Sequence, residues 1–128
     1  MLAVYGTLRK GFRNHRLLSG SKLVWRGFAE IPYEMVVGGD CIPYLIPSEE
    51  LHKVFLEVYE VPSDVLKTLD SFEDVPREYV RVRVYVHPIG FAWIYVARRL
   101  PENFEVVECG DYATYALSNP RCRHLVEG

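Results

Sequence analysis

The sequence has few cysteines, and none of them is arranged in a metal or redox motif. Its three cysteines, Cys41, Cys109 and Cys122, are an odd number in a chain of 128 residues, and no Cys-x-x-Cys pair occurs. This pattern argues against a disulfide framework and predicts a reducing, cytoplasmic setting. The four histidines stand far apart, and none has a Cys or His partner at ligand spacing. We therefore expect no metal site.

Long hydrophobic runs are also absent. The longest uninterrupted apolar run extends from Phe91 to Ala97 and is far too short to cross a bilayer, so we expect no membrane partner. The first basic residues follow the N-terminal apolar stretch instead of preceding it, which is not typical of a signal peptide. No internal repeat, low-complexity tract or linker divides the chain. We expect residues 1–128 to form a single domain.

Positive charge is concentrated at the start of the chain, although the net charge is −2. Six basic residues and no acidic residue precede Glu30. Their field would attract an anionic ligand or a nucleic acid, but such a cluster is also typical of a solvated surface. Because the chain lacks interleaved exposed aromatic residues and a helix-turn-helix pattern, we do not expect it to bind nucleic acid.

Alternating polar and apolar residues predict several short strands. Pro32 interrupts the first of them, and two prolines hold an extended segment that resembles a cavity wall more than a central strand. We expect the last strand to be buried on both faces and to pair with the strand before it as a hairpin. The predicted strands are 22–31 with a continuation to 37, 54–59, 79–86 and 91–97, and the wall segment is 42–47.

One segment has the period of a helix. Val65, Leu66, Leu69 and Phe72 recur at helical spacing, and Pro76 should end the helix before it. Strands with frequent turns and one main helix predict an α+β fold, a small mixed β-barrel of five to six strands.

The first candidate site follows the short apolar run at the N-terminus. Gly6 ends this predicted strand, and a glycine there allows backbone N–H groups to turn inward. Successive inward N–H groups form a concavity that binds anions. We expect the backbone of Tyr5, Gly6, Thr7 and Leu8 to hold a carboxylate or a phosphate, although the same pattern is also typical of a simple turn.

The second candidate is Glu73, at the end of the predicted helix. It lies four residues after Leu69 and seven after Leu66, which places its carboxylate on the apolar face. Burial there would raise its pKa, as a general acid/base near neutral pH requires. Alternatively, Glu73 turns to solvent or pairs with Arg77 or Arg81.

Four motifs together resemble the gamma-glutamylcyclotransferase-like family, including its gamma-glutamylamine cyclotransferase-type members. They occur in the family's order over roughly residues 2 to 112. The motifs are Tyr5-Gly6-Thr7-Leu8-Arg9 with Gly11, Asn14 and Leu17-Leu18; the run from Leu69 to Arg81; Ala92-Trp93-Ile94-Tyr95; and Cys109-Gly110-Asp111-Tyr112.

The resemblance implies a small mixed barrel around a central cavity and an enzyme that releases 5-oxoproline from a small γ-glutamyl substrate. It implies that the loop from Tyr5 to Leu8 holds the α-carboxylate of the substrate, that Glu73 is the acid/base, and that Tyr79 lines the cavity. No metal, other cofactor or covalent intermediate is expected. The alternative hypothesis is a non-catalytic module that binds a small carboxylate on the same fold.

Overall fold

The apolar alternation builds a six-stranded sheet in the structure, a computed structural model that describes residues 1–126. Two α-helices and two short 3-10 helices, His15–Leu18 and Pro120–Leu125, complete the secondary structure of these residues. The strands are β1 (Leu2–Val4), β2 (Lys22–Gly38), β3 (Pro43–Glu60), β4 (Tyr79–Val86), β5 (Gly90–Ala97) and β6 (Phe104–Val106), and the helices are α1 (Ser63–Phe72) and α2 (Tyr112–Ser118).

The sheet is mixed and curled. Its strand order is β4-β5-β1-β3-β2-β6. β1 is parallel to β5 and antiparallel to β3, and the other pairs are antiparallel. β2 also contacts β4 from across the sheet, which brings the two sides together as in a partial barrel. The predicted α+β fold with a curled sheet and few helices is confirmed.

Two long strands form the central hairpin of the sheet. The register between β2 and β3 shifts between Ile31 and Tyr33, at Pro32, which has no N–H group to give to the ladder. The irregularity that Pro32 predicts is therefore confirmed. The predicted wall segment 42–47 and the predicted strand 54–59 largely belong to one strand, because β3 runs without a break from Pro43 to Glu60.

The N-terminal strand separates two apolar cores. Ala3 and Tyr5 pack into the larger core with the inward residues of β2 to β5, whereas Leu2 and Val4 pack into a second core on the other face. Leu69 of α1 lies in this second core and has no exposed surface. Burial of alternate faces of β1 thus fixes the end of β1 beside the end of α1.

The prediction that the strand over 91–97 is buried on both faces is wrong. Phe91 is 58% exposed and Trp93 is 36% exposed on the outer face of β5. The guanidinium group of Arg83 lies 4.5 Å from the Phe91 ring centroid, and that of Arg81 lies 4.7 Å from the Trp93 ring. Arginine stems and cation–π contacts from β4 therefore cover aromatic surface that the apolar run alone would place in a core.

The prediction of no disulfide is also wrong. Cys41 and Cys122 form a disulfide across 81 residues of sequence, and Cys109 is a free, exposed cysteine. The odd count of cysteines hid this pair because neither partner lies in a recognisable motif. The predicted reducing, cytoplasmic setting rested on unpaired cysteines and loses that support.

Within residues 1–126, no helix is long and apolar enough to cross a membrane. That the chain forms a single domain stays a prediction.

Candidate active site

A cavity of about 270 Å³ opens beside the end of β1. The loop after β1, the start of β3, the end of α1 and the inner residues of β4 and β5 surround it. All six residues singled out from the sequence line this cavity. The full lining is Ala3, Val4, Tyr5, Gly6, Thr7, Leu8, Asn14, Ile42, Pro43, Tyr44, Phe72, Glu73, Tyr79 and Tyr95.

The loop after β1 presents backbone N–H groups that the described residues leave unused. The amides of Gly6, Thr7 and Leu8 donate no hydrogen bond within residues 1–126, whereas the Arg9 amide donates to the Gly6 carbonyl oxygen at 2.9 Å. Three consecutive unused amides in the lining of a cavity can together bind an anion. This arrangement suits the carboxylate site that the sequence predicts.

Asn14 stabilises the same loop through two hydrogen bonds to Thr7. Its amide N–H donates to the Thr7 carbonyl oxygen at 3.2 Å, and its side-chain Nδ2 donates to Thr7 Oγ1 at 3.0 Å. The Thr7 carbonyl oxygen is thereby occupied by a partner within the chain. Asn14 also lines the cavity, and its place in the N-terminal motif was the signal that could have identified it.

Gly6 is required by packing against the opposite wall. A Cβ atom on Gly6 would lie 2.7 Å from Cγ of Pro43, which is closer than carbon atoms can approach without a shift. The loop and the start of β3 therefore meet only because position 6 has no side chain. From the sequence, Gly6 was expected to let backbone N–H groups turn inward, and the structure shows that it also leaves room for Pro43.

Glu73 lies immediately after α1, at the edge of the cavity. Its amide donates to the Leu69 carbonyl oxygen at 2.8 Å, so the last helical turn fixes its position. The expected competitors of Glu73 are paired elsewhere: Arg77 Nη2 donates to Asp74 at 2.9 Å, and Arg81 Nε donates to Asp70 at 2.8 Å. Among the described residues, no side-chain hydrogen bond or ion pair includes the Glu73 carboxylate.

Burial raises the pKa of the Glu73 carboxyl from its ordinary value of 4.5 to about 7. The cause is desolvation, which disfavours the charged form, and no positive neighbour offsets it. A carboxyl group with this pKa is populated in both protonation states near neutral pH. It can therefore accept a proton from one group and return a proton to another.

Four tyrosines line the same cavity as this carboxyl. Burial is the largest cause that raises the pKa of each phenol, so all four are protonated near neutral pH. The negative charge of Glu73 raises the pKa of Tyr79 further. The four are Tyr5, Tyr44, Tyr79 and Tyr95.

Three of these hydroxyl groups have partners in the chain. Tyr5 donates to the Tyr95 carbonyl oxygen at 2.7 Å, Tyr95 donates to Asp70 at 2.7 Å, and Tyr44 donates to an exposed carboxylate at 2.6 Å, that of Asp40. The Tyr79 hydroxyl makes no hydrogen bond within residues 1–126. Tyr79 is therefore the phenol with a hydroxyl available to a ligand.

The side chains of the basic N-terminal cluster do not line the cavity. No lysine or arginine appears among its lining residues in the described part of the chain. Arg9 is only 3% exposed and pairs with Asp111 at 2.8 Å. An anion in this cavity would therefore meet backbone amides rather than a cationic side chain. That the field of the basic cluster attracts an anionic ligand stays a prediction.

Some lining residues were not identified from the sequence. Phe72 reaches the cavity through the placement of α1, which no local pattern reveals, and Tyr95 had a signal only in its strand motif. Tyr44 was not singled out, although it lies in the segment 42–47 that was predicted as a cavity wall. In residues 1–126 no group of three or more His, Cys, Asp or Glu side chains is placed to hold a metal ion.

Comparison with known proteins shows the family of this chain. The family described as "Gamma-glutamyl cyclotransferase, AIG2-like" matches residues 2–114. A Methanocaldococcus jannaschii protein that has gamma-glutamylcyclotransferase as a provisional name is 38% identical over 118 residues, which are 88% of this chain and 94% of that protein. The gamma-glutamylaminecyclotransferase of Bos taurus is 45% identical over 91 residues, which are 65% of this chain and 54% of the bovine protein.

The fold agrees with this assignment. A crystal structure of a Pyrococcus horikoshii protein superposes with a TM-score of 0.76 at 28% identity and covers 91% of this chain and 92% of that one. The chain therefore belongs to the gamma-glutamyl cyclotransferase, AIG2-like family and is an enzyme of the gamma-glutamylcyclotransferase type.

Proposed function

We propose that this enzyme releases 5-oxoproline from a small γ-glutamyl amine or γ-glutamyl amino acid. The observation that carries the proposal is that one cavity contains both Glu73, an unpaired carboxyl with a pKa of about 7, and a loop with unused backbone N–H groups. The first can move a proton, and the second can fix an anionic substrate beside it.

In this proposal the amides of Gly6, Thr7 and Leu8 bind the α-carboxylate of the γ-glutamyl group. Since the lining has no lysine or arginine, these N–H groups are the positive ends available to a carboxylate. These three amides, called the cradle below, begin two residues after β1 ends at Val4, so the strand fixes the near end of the cradle. The Tyr79 hydroxyl, which also lines the cavity, is available to donate a hydrogen bond to the substrate.

Glu73 then acts as general base and general acid. It takes a proton from the α-ammonium group, the freed nitrogen attacks the γ-carbonyl carbon, and the bond from that carbon to the departing nitrogen breaks. Over the whole reaction the α-nitrogen loses two protons and the departing amine gains two, so proton transfer through a carboxyl near neutral pH balances the reaction.

Little further machinery is needed because the nucleophile and the electrophile belong to one molecule. Holding the γ-glutamyl chain folded converts the chemistry into ring closure, for which correct positioning alone lowers the barrier substantially. A cavity with few polar groups suits this role. The substrate's remote part, the departing amine, would lie toward the wall formed by Ile42, Tyr44 and the exposed Phe72.

The class of departing amine is part of the proposal. The bovine relative has a name that refers to γ-glutamyl amines, so we propose a γ-glutamyl amine as the first substrate to test. The experiment is a panel of γ-glutamyl amines and γ-glutamyl amino acids assayed for 5-oxoproline release. Release from at least one member supports the proposal. Tight binding of a γ-glutamyl compound without release would instead support the binding-module hypothesis.

A further inference from the structure

A second carboxylate, outside the cavity, lies behind the N-terminal loop. Glu57 is in the middle of β3, where it pairs with Val4 of β1 and Arg26 of β2, and it is 1% exposed. It is not among the residues that line the cavity, so the proposed chemistry does not use it. A carboxylate buried so completely is costly unless its oxygens have partners.

The partners of Glu57 connect it to the loop. One oxygen, Oε1, accepts the backbone N–H of Lys10 at 2.9 Å and the Tyr59 hydroxyl at 2.8 Å. The other oxygen, Oε2, lies 3.8 Å from Arg9 Nε and 3.8 Å from Arg26 Nη2. Two successive loop residues, Arg9 and Lys10, therefore face the same buried carboxylate.

Arg9 is itself fixed in this position. Its Nη1 donates to Asp111 at 2.8 Å, and its guanidinium group lies 4.5 Å from the centroid of the Phe55 ring. Its side chain thus spans from the loop to the turn before α2 through a buried path. The loop after Leu8 cannot move without breaking contacts to β3 and to Asp111.

The two halves of the loop are held by different means. Asn14 holds Thr7 from within the loop region, by short-range contacts. Glu57 holds Lys10 from the sheet, by a hydrogen bond between residues 47 positions apart. Of these contacts, the one to Glu57 anchors the loop to the rigid scaffold that also positions β1.

We propose that Glu57 is a positioning residue: through Lys10 N–H and Arg9 it sets the placement of the Gly6–Leu8 amides that receive the substrate carboxylate. The inference rests on the proposed function of that loop. Glu57 touches no substrate. It affects how precisely the amides of the carboxylate site are placed. A change at Glu57 should therefore weaken the binding of ligands that have a carboxylate and leave the binding of ligands without one unchanged.

The test compares two ligands that differ only in the carboxylate, 5-oxoproline and 2-pyrrolidinone. Their dissociation constants are measured for the parent enzyme and for Glu57→Gln, which keeps the shape of the side chain but removes its charge. We expect the preference of the parent for 5-oxoproline to fall by about tenfold in Glu57→Gln, the scale of one charge-assisted hydrogen bond. The affinity for 2-pyrrolidinone should be unchanged.

Tyr59→Phe is the matched control because it removes the other hydrogen bond to the same carboxylate oxygen without touching the loop. It should keep the ligand preference of the parent. If Glu57→Gln does not fold, Glu57→Asp replaces it, since this variant keeps the charge but withdraws the carboxylate from Lys10 by one methylene. Failure of both variants to fold would assign Glu57 a purely structural role and overturn the proposal.

Two other results would also overturn it, and they can be told apart. If the parent prefers 5-oxoproline and Glu57→Gln keeps that preference, or loses affinity for both ligands equally, Glu57 does not position the cradle. If the parent itself shows no preference for the ligand with the carboxylate, the cradle is not a carboxylate site, and the proposed function of the loop fails together with this inference.

Discussion

Glu73 combines two properties that rarely coincide in one carboxylate: it is desolvated, and no described residue pairs with it. Its neighbours Asp70 and Asp74 are paired with Arg81 and Arg77, and they leave it as the free carboxyl of the helix end. Desolvation alone raises its pKa to about 7. Glu73 by itself is therefore suited to proton transfer near neutral pH.

This pKa predicts the pH dependence of catalysis. The base form of Glu73 must be present in the free enzyme, so kcat/KM should rise with pH through a midpoint near 7, where the carboxyl loses its proton. The measurement is kcat/KM for 5-oxoproline release from pH 5 to 9. A profile that is already nearly flat from pH 5 upward, as expected for a carboxyl with the ordinary pKa of 4.5, would show that the carboxyl is not desolvated in the working enzyme.

The contact between Gly6 and Pro43 predicts that a substitution at position 6 weakens ligand binding and that a second substitution at position 43 restores it. In Gly6→Ala, the new Cβ would press on the Pro43 ring, 2.7 Å away, and push the loop and the wall apart. We expect affinity for 5-oxoproline to fall by about tenfold or more, the effect of losing one or two hydrogen bonds from the cradle. Affinity and thermal midpoint are measured on the same preparation.

Pro43→Ala supplies the matched control because it removes the atoms that the new methyl group would meet. In the double variant, much of the lost affinity should return. Equal loss in the single and the double variant would show that Gly6 matters for its backbone conformation or for direct ligand contact instead.

Several single residues were predictable because their signal is local. Helical spacing from Leu69 was sufficient to place Glu73 toward the apolar side, and a glycine after a strand was sufficient to identify the loop. Phe72 was not predictable as a lining residue, since its position depends on how α1 packs beside the N-terminal loop, whereas Tyr44 lies in the predicted wall segment 42–47. Their roles in catalysis and binding stay predictions until they are measured.

At the scale of elements, α1 determines where Glu73 stands. Its one fully buried residue is Leu69, in the second core, while Leu66 on the same face is only half-buried. The C-terminal turn is then attached to β4 and β5, because Asp70 accepts hydrogen bonds from Arg81 and Tyr95. These contacts of the helix thereby fix the position of Glu73, the residue that directly follows it.

Leu69→Ala should therefore reduce both stability and turnover. Removing a fully buried leucine leaves a cavity and typically costs about 2–5 kcal/mol in the free energy of unfolding. The measurement is denaturant unfolding of the variant and the parent. Leu66→Ala is the matched control and should cost clearly less, since Leu66 is partly in contact with water. Equal losses would mean that α1 is not anchored at Leu69.

Helices and strands were predictable where the hydrophobic period is strong. They were not predictable where tertiary contacts determine whether a segment forms a strand or which of its faces are buried. β4 and α1 agree with their predicted segments because one face of each element is more buried than the other. The apolar residues therefore alternate along β4 and recur at helical spacing along α1. β6 is three exposed residues and has no pattern of its own; it forms by pairing with the end of β2. The apolar run of β5 was read as doubly buried because cover by arginines of a neighbouring strand is a tertiary contact.

At the scale of the whole molecule, the Cys41–Cys122 disulfide joins two distant parts of the chain. Cys41 directly precedes Ile42 and Pro43 in the cavity wall, and Cys122 lies in the C-terminal 3-10 helix. The Tyr112 hydroxyl also donates to the Cys41 carbonyl oxygen at 2.6 Å. The C-terminal segment thereby braces one wall of the cavity.

Cys122→Ser should lower stability under oxidising conditions. A cross-link between distant residues restricts the unfolded chain, and its loss typically costs about 2–4 kcal/mol. The exposed free cysteine provides the control, because Cys109→Ser should leave the unfolding free energy near that of the parent. Unfolding with and without a thiol reductant is the measurement. A parent that is insensitive to reductant and equal to Cys122→Ser would contradict the disulfide.

The central claim is that Glu73 moves the proton during release of 5-oxoproline, and one comparison tests it most directly. On the best substrate of the γ-glutamyl panel, Glu73→Gln should lower turnover by about 10²–10⁴-fold, the usual contribution of a positioned acid/base, because glutamine keeps the volume but cannot shuttle a proton. Asp74→Asn should be nearly silent, since asparagine suits the positive φ of 54° and only an exposed ion pair with Arg77 is lost. Equal turnover by Glu73→Gln and the parent would contradict the account.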